Sequence, residues 1–199
     1  MAKNVIIIAS GETERRSIPH LMAHLKDEGV FVEEVRYPPR HRPLNVEMAA
    51  SLLKAAWFAS LSKPDKFVIL VDTDGKAPNE VLRPFQENLP RCISREISVA
   101  VQFAYAQWHL EAWFFADITN LRKYLGRDPG SVDPSRPDEI ENPKHHLKQL
   151  LGDRMYTAVI SEEIASQLDA PTIAGRSPSF QSSLDAVRNG SRAAEMERS

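Results

Sequence analysis

Two short acidic segments stand at the ends of apolar runs. Residues 5–9 lead into Ser10-Gly11-Glu12-Thr13-Glu14, and residues 67–71 lead into Asp72-Thr73-Asp74-Gly75. In open α/β sheets, sites form outside the carboxyl ends of strands, so Glu12, Glu14, Asp72 and Asp74 are candidate neighbours. If strand geometry persists through Asp72 and Asp74, the period of two sends both side chains to one side. Like charges so placed repel unless a cation or a proton comes between them, and an oxygen-only set suits a hard ion such as Mg²⁺ or Mn²⁺. Each segment taken singly has a plainer explanation. Glutamates favour the first turn of a helix, with Thr13 as its cap, and Asp-Thr-Asp-Gly is good turn chemistry. Their joint occurrence at two strand ends tips the balance toward a site.

A third segment, "QWHLEAWFFAD" at residues 107–117, places Trp108, Glu111 and Phe115 on one stripe at helical spacing. A carboxylate in a line of large apolar residues must be paired, protonated or metal-bound. An arginine partner, Arg122 or Arg176, is the structural alternative, and Asp117 at the end of the run is expected to face water. "RYPPRHRP" at residues 36–43 gathers Arg36, Arg40, His41 and Arg42, which suits a phosphate backbone, although a solvated loop is the commoner reason for such a run. The adjacent His145 and His146 point to different faces of a helix and do not chelate. Trp57, Trp108 and Trp113 read as core packing, and Cys92 as an inert thiol. The sequence has no Gly-Lys-Ser/Thr phosphate loop and no GxGxxG, which argues against nucleotide hydrolysis by the chain itself.

These residues need strands and crossover helices to position them. The apolar runs at 5–9 and 67–71 read as central parallel strands covered on both faces. Between them the pattern predicts a helix over 18–26, a strand over 30–37 and a helix over 46–61. Beyond them it predicts a helix over 79–88, a strand over 96–103 and one long helix over 107–124. Residues 126–143, with Pro129, Pro134, Pro137 and Pro143, read as a loop. Short helices over 144–151, 161–168 and 179–187 then form a small helical extension. The expected organisation is an α/β domain over 1–125, a loop and helical extension over 126–189, and a disordered tail over 190–199. The 199 residues, 42% hydrophobic, can bury a full core, and a net charge of −2 supplies no global basic field. One cysteine, no apolar stretch near the roughly 20 residues that span a bilayer, and no signal-peptide pattern point to a cytoplasmic chain.

The strand ending in Gly-x-Thr-Glu, the Asp-x-Asp strand end and the Glu-Ala-Trp-x-x-Ala-Asp helix together resemble Toprim-like proteins related to the OLD (overcoming lysogenization defect) nucleases. In particular they resemble an uncharacterised bacterial family of about this length. "NPKHHLKQLLG" and "SPSFQSSLDAV" extend the likeness over nearly the whole chain. The resemblance implies a Toprim-like, Rossmann-like sheet and divalent-metal-dependent phosphodiester chemistry on nucleic acid, in a setting such as phage or mobile-element defence. It implies Mg²⁺ or Mn²⁺ held by Asp72, Asp74 and Glu14, with Glu111 as a further ligand or support. The family pattern Glu-Gly-x-x-Glu carries its first glutamate where this chain has Ser10, before Gly11. A serine hydroxyl supplies no charge near neutral pH, and Glu12 is the nearest substitute. The rival expectation is therefore a catalytically degenerate regulatory or interaction subunit working beside a separate ATPase.

Overall fold

The computed structural model describes residues 2–39, 42–93, 95, 97–130 and 132–188. Four strands, β1 (Lys3–Ile8), β2 (Val30–Arg36), β3 (Lys66–Asp72) and β4 (Ala100–Ala106), form one sheet in the order β2-β1-β3-β4. All three pairings are parallel. β1 carries Val5, Ile6, Ile7 and Ile8 buried on both faces, as a strand between two helical layers requires. Val5 and Ile7 join Val68 and Leu70 in one apolar cluster, while Ile6 and Ile8 join Phe67, Ile69 and Val71 in the other. The α/β, Toprim-like expectation for the fold holds.

The second cluster is closed by α2 (Val46–Ala59) and α3 (Pro78–Cys92). The first is closed by α1 (Glu12–Leu21) and by the C-terminal helices α6 (Pro143–Leu151), α7 (Ala158–Ala165), α8 (Ala170–Ala174) and α9 (Pro178–Arg188). Between sheet and extension lie α4 (Glu111–Ala116) and α5 (Ile118–Leu125). Trp113 anchors this side: its indole N–H donates to Ser179 Oγ at 2.8 Å, and its ring meets Phe180 edge-on at 4.9 Å. Trp113 is thus core, as read from its stripe. Among the described residues no helix is long and apolar enough to cross a membrane.

Several elements differ from their sequence reading. The long helix over 107–124 is two short helices. Asp117 breaks it by accepting from Asn120 N–H at 3.3 Å and Asn120 Nδ2 at 2.7 Å, thereby capping α5. The same carboxylate accepts from Asp169 N–H at 2.8 Å and is 3% exposed, so Asp117 is a buried brace and does not face water. The first helix begins at Glu12 rather than at residue 18, with Gly11 as its N-cap; Thr13 does not cap it. β4 starts four residues later than read, and α8 went unforeseen. The proline-rich loop is pinned by Asp138, which accepts from Ser177 Oγ at 2.7 Å and from Ser179 N–H at 2.8 Å. Arg40, His41 and the tail over 190–199 lie outside the described residues.

Candidate functional site

The chain passes from β1 to β2 on one side and then to β3 on the other, so a crevice opens between the carboxyl ends of β1 and β3. Helix α1 starts at that point. Gly11 is extended there, and a Cβ built on it would stand 3.2 Å from Glu14 Oε2. Glu14 therefore folds back over the turn, with the backbone N–H groups of Gly11 and of Glu14 itself as donors. It is 5% exposed. Asp72 ends β3, hydrogen-bonded in register beside β4, and is only partly exposed.

Glu111 opens α4 and completes the group, at 1% exposure. Burial pushes the Glu14 carboxyl above its ordinary range, and the field of Glu111 adds to the shift. Burial raises Asp72 further, well above the usual aspartate value, and Glu14, Glu111 and Asp74 reinforce it in that order. Lys144, from α6, works against both shifts. Its Nζ lies 3.7 Å from Glu111 Oε1, and the Tyr156 hydroxyl donates to that same oxygen at 2.7 Å. Glu111 Oε2 is buried with no hydrogen-bond partner among the described residues. The expected arginine partner is not used: Arg176 donates to the Ala116 carbonyl at 2.7 Å, and Arg122 pairs with Asp128 at 3.4 Å.

Strand geometry does not persist through Asp74. The chain turns after Asp72, and Asp74 sits in the left-handed region at φ 50° with its side chain 72% exposed. Its Oδ1 lies 3.0 Å from His109 Nε2. Thr73, buried beneath, accepts from Trp108 N–H at 2.9 Å, and the Trp108 ring lies so close over Gly75 that no Cβ fits there. Glu12 points away from the crevice interior and pairs with Arg16 at 3.1 Å and Arg15 at 3.7 Å. A cleft of about 700 Å³ beside the site is lined by Ser10, Gly11, Glu12, Tyr37, Pro38, Pro39 and Arg42. Arg36 is engaged by Glu34 at 2.8 Å. The structure thus brings together Glu14, Asp72 and Glu111, places Asp74 at the rim, and leaves Glu12 outside.

Among the described residues, no three His, Cys, Asp or Glu side chains are gathered tightly enough to form a metal-holding group as they stand. The donor chemistry nonetheless fits a hard cation: oxygens only, carboxylates that resist joint ionisation, and one buried oxygen with nothing to bind. Lys144, Tyr156, Thr73 and His109 were not found from sequence. The requirement that Glu111 be compensated was the one signal toward the first two.

Comparison with protein families decides the relationship, with a match that runs over residues 10–188. The chain belongs to DUF4276, a domain of unknown function. The DUF4276 chain also resembles solved structures of OLD C-terminal regions. That from Burkholderia pseudomallei is 17% identical at a TM-score of 0.50, covering 94% of this chain and 98% of that one. That from Xanthomonas campestris pv. campestris is 13% identical at a TM-score of 0.47, covering 100% and 98%. The former likeness establishes the shared fold. No curated protein matches this DUF4276 chain.

Proposed function

We propose that this DUF4276 chain is a Toprim-type, Mg²⁺- or Mn²⁺-dependent nuclease or phosphoesterase domain acting on nucleic acid. The observation that carries the reading is the packing of Glu14, Asp72 and Glu111 at the β1/β3 switch point, with Glu111 Oε2 left open. Glu14, Asp72 and Asp74 would hold the ion, and Glu111 would join them through its free oxygen. A bound divalent ion supplies a Lewis acid and a water of lowered pKa for phosphodiester attack. Gly11 lets the Glu14 carboxylate reach back to the crevice, and the buried walls keep the carboxylate pair from bulk water. Lys144 presents the ammonium that faces the cluster, where it can donate to a phosphate oxygen. Arg42, on the adjoining cleft, would meet the backbone of the same strand.

A second reading is favoured by Ser10 and Asp74: the first contributes no carboxylate, and the second is engaged by His109. In that reading the chain is a catalytically degenerate subunit that works with a separate ATPase. The deciding experiment is cleavage of single-stranded DNA, duplex DNA and RNA in Mn²⁺ by wild type and Asp72→Asn. Cleavage lost in the variant supports the enzyme. Mn²⁺ binding without cleavage of any substrate supports the subunit.

A further inference from the structure

Glu111 is held by one of its two oxygens. Oε1 accepts the Tyr156 hydroxyl at 2.7 Å and faces Lys144 at 3.7 Å, while Oε2 has no partner among the described residues. At 1% exposure the side chain cannot satisfy Oε2 by turning to solvent, and a buried polar atom left so calls for a ligand. Tyr156 enters from the segment between α6 and α7, roughly opposite the strands that bear Asp72 and Glu14 in chain order, and its only role at the cluster is to fix that one oxygen.

We propose that Tyr156 is a positioning residue that restricts Glu111 to a single donor oxygen and so selects the size of the ion the site accepts. The inference rests on the metal-dependent reading above. Ca²⁺ takes six to eight oxygens and commonly accepts a carboxylate through both, whereas Mg²⁺ demands a small octahedral shell with one oxygen per ligand. Mn²⁺ shares the octahedral oxygen preference. With Oε1 engaged, Glu111 suits the small shell. For both oxygens to face an ion, the Tyr156 hydroxyl would have to give up its acceptor inside a partly buried site.

The test measures Mn²⁺ and Ca²⁺ affinities by calorimetry and competition on wild type, Tyr156→Phe and Asp72→Asn, with melting in EDTA as the check on folding. Wild type should prefer Mn²⁺, and Tyr156→Phe should narrow the Mn²⁺/Ca²⁺ ratio by about tenfold through gained Ca²⁺ affinity. An unchanged ratio in a folded Tyr156→Phe overturns the role of Tyr156 alone, provided that Asp72→Asn loses the ion. Absence of ion binding in wild type, or binding indifferent to Asp72→Asn, overturns the metal reading and this inference with it. Should the Phe variant fail to fold, a crystal structure of wild type soaked in Mn²⁺ gives the answer. Glu111 bound through Oε2 with Tyr156 still on Oε1 supports the proposal; a two-oxygen Glu111 overturns it.

Discussion

The Asp74 backbone N–H donates to the Trp108 carbonyl at 3.1 Å, and both residues adopt left-handed backbone, at φ 50° and 61°. Side chains with a Cβ rarely rest there, so the ends of β3 and β4 are clasped by two residues held against their own preference. The clasp is what turns Asp74 outward to His109 and lays the Trp108 ring on Gly75.

Asp74→Gly should therefore stabilise the metal-free protein by about 1 kcal/mol, since glycine carries no left-handed penalty and the side chain removed is largely exposed. The same change should weaken Mn²⁺ binding. Chemical denaturation in EDTA beside Mn²⁺ titration tests both, and a destabilised variant would show that the His109 contact outweighs the backbone strain.

The raised carboxyls of Glu14 and Asp72 set a pH dependence. Between the ordinary carboxylate range and their raised values, the folded protein holds protons that the unfolded chain has released, so stability falls as pH rises through that interval. Asp72→Asn removes the larger part. Its melting temperature in EDTA should exceed that of wild type near pH 7, and the difference should close below about pH 4. Glu28 and Glu162, lowered by Arg188 and Arg16, slope the other way but cancel in the difference. A difference that is flat from pH 4 to 7 would contradict the electrostatic account.

Divalent ions should reverse that cost. At a hundredfold excess over its dissociation constant, a native-state ligand adds about 2.7 kcal/mol. Mn²⁺ should raise the melting temperature of wild type and leave Asp72→Asn unmoved; an equal rise in both would place the ion elsewhere.

Asp138 ties the proline-rich loop to the start of α9 through Ser177 and both the amide and hydroxyl of Ser179. Asp138→Ala strands those donors, two of them on buried serines, and should cost about 2–3 kcal/mol. Urea denaturation would measure it, with Asp138→Asn recovering part of the loss.

Ser10 separates the two functional readings. Ser10→Glu places a carboxylate on the cleft wall beside Gly11, and a restored acid–base group is worth about 10²–10⁴ in rate. Activity confined to Ser10→Glu would favour the degenerate subunit. Wild-type cleavage abolished by Glu12→Gln would instead require Glu12 to leave Arg16 and turn inward.

The sheet was legible because β1 and β3 are written as unbroken apolar runs, and Glu111 was legible because a carboxylate within a Trp/Phe stripe contradicts its surroundings. Glu14 and Asp72 followed from their places at strand ends. The break at Asp117 was hidden, since its capping bond to Asn120 competes with a helical pattern that continues on both sides. Asp74 was misplaced by assuming that strand period outlasts the strand, when Asp-Gly turns the chain at once. Lys144 and Tyr156 carry no local mark: their meaning lies in a contact with a residue 33 or more positions away, which periodicity does not encode.

Because Lys144 and Tyr156 come from the C-terminal helical layer, the carboxylate group at the β1/β3 crevice is assembled late in synthesis. Chains grow N-terminus first at about 5–20 residues per second. Glu14, Asp72 and Glu111 thus exist on the nascent polypeptide for seconds before the hydroxyl and ammonium that restrain them are made. A ribosome-bound chain halted after β4 would carry the strands and the acidic ends of the crevice without Glu111 or its restraints, leaving the centre latent until translation is nearly done.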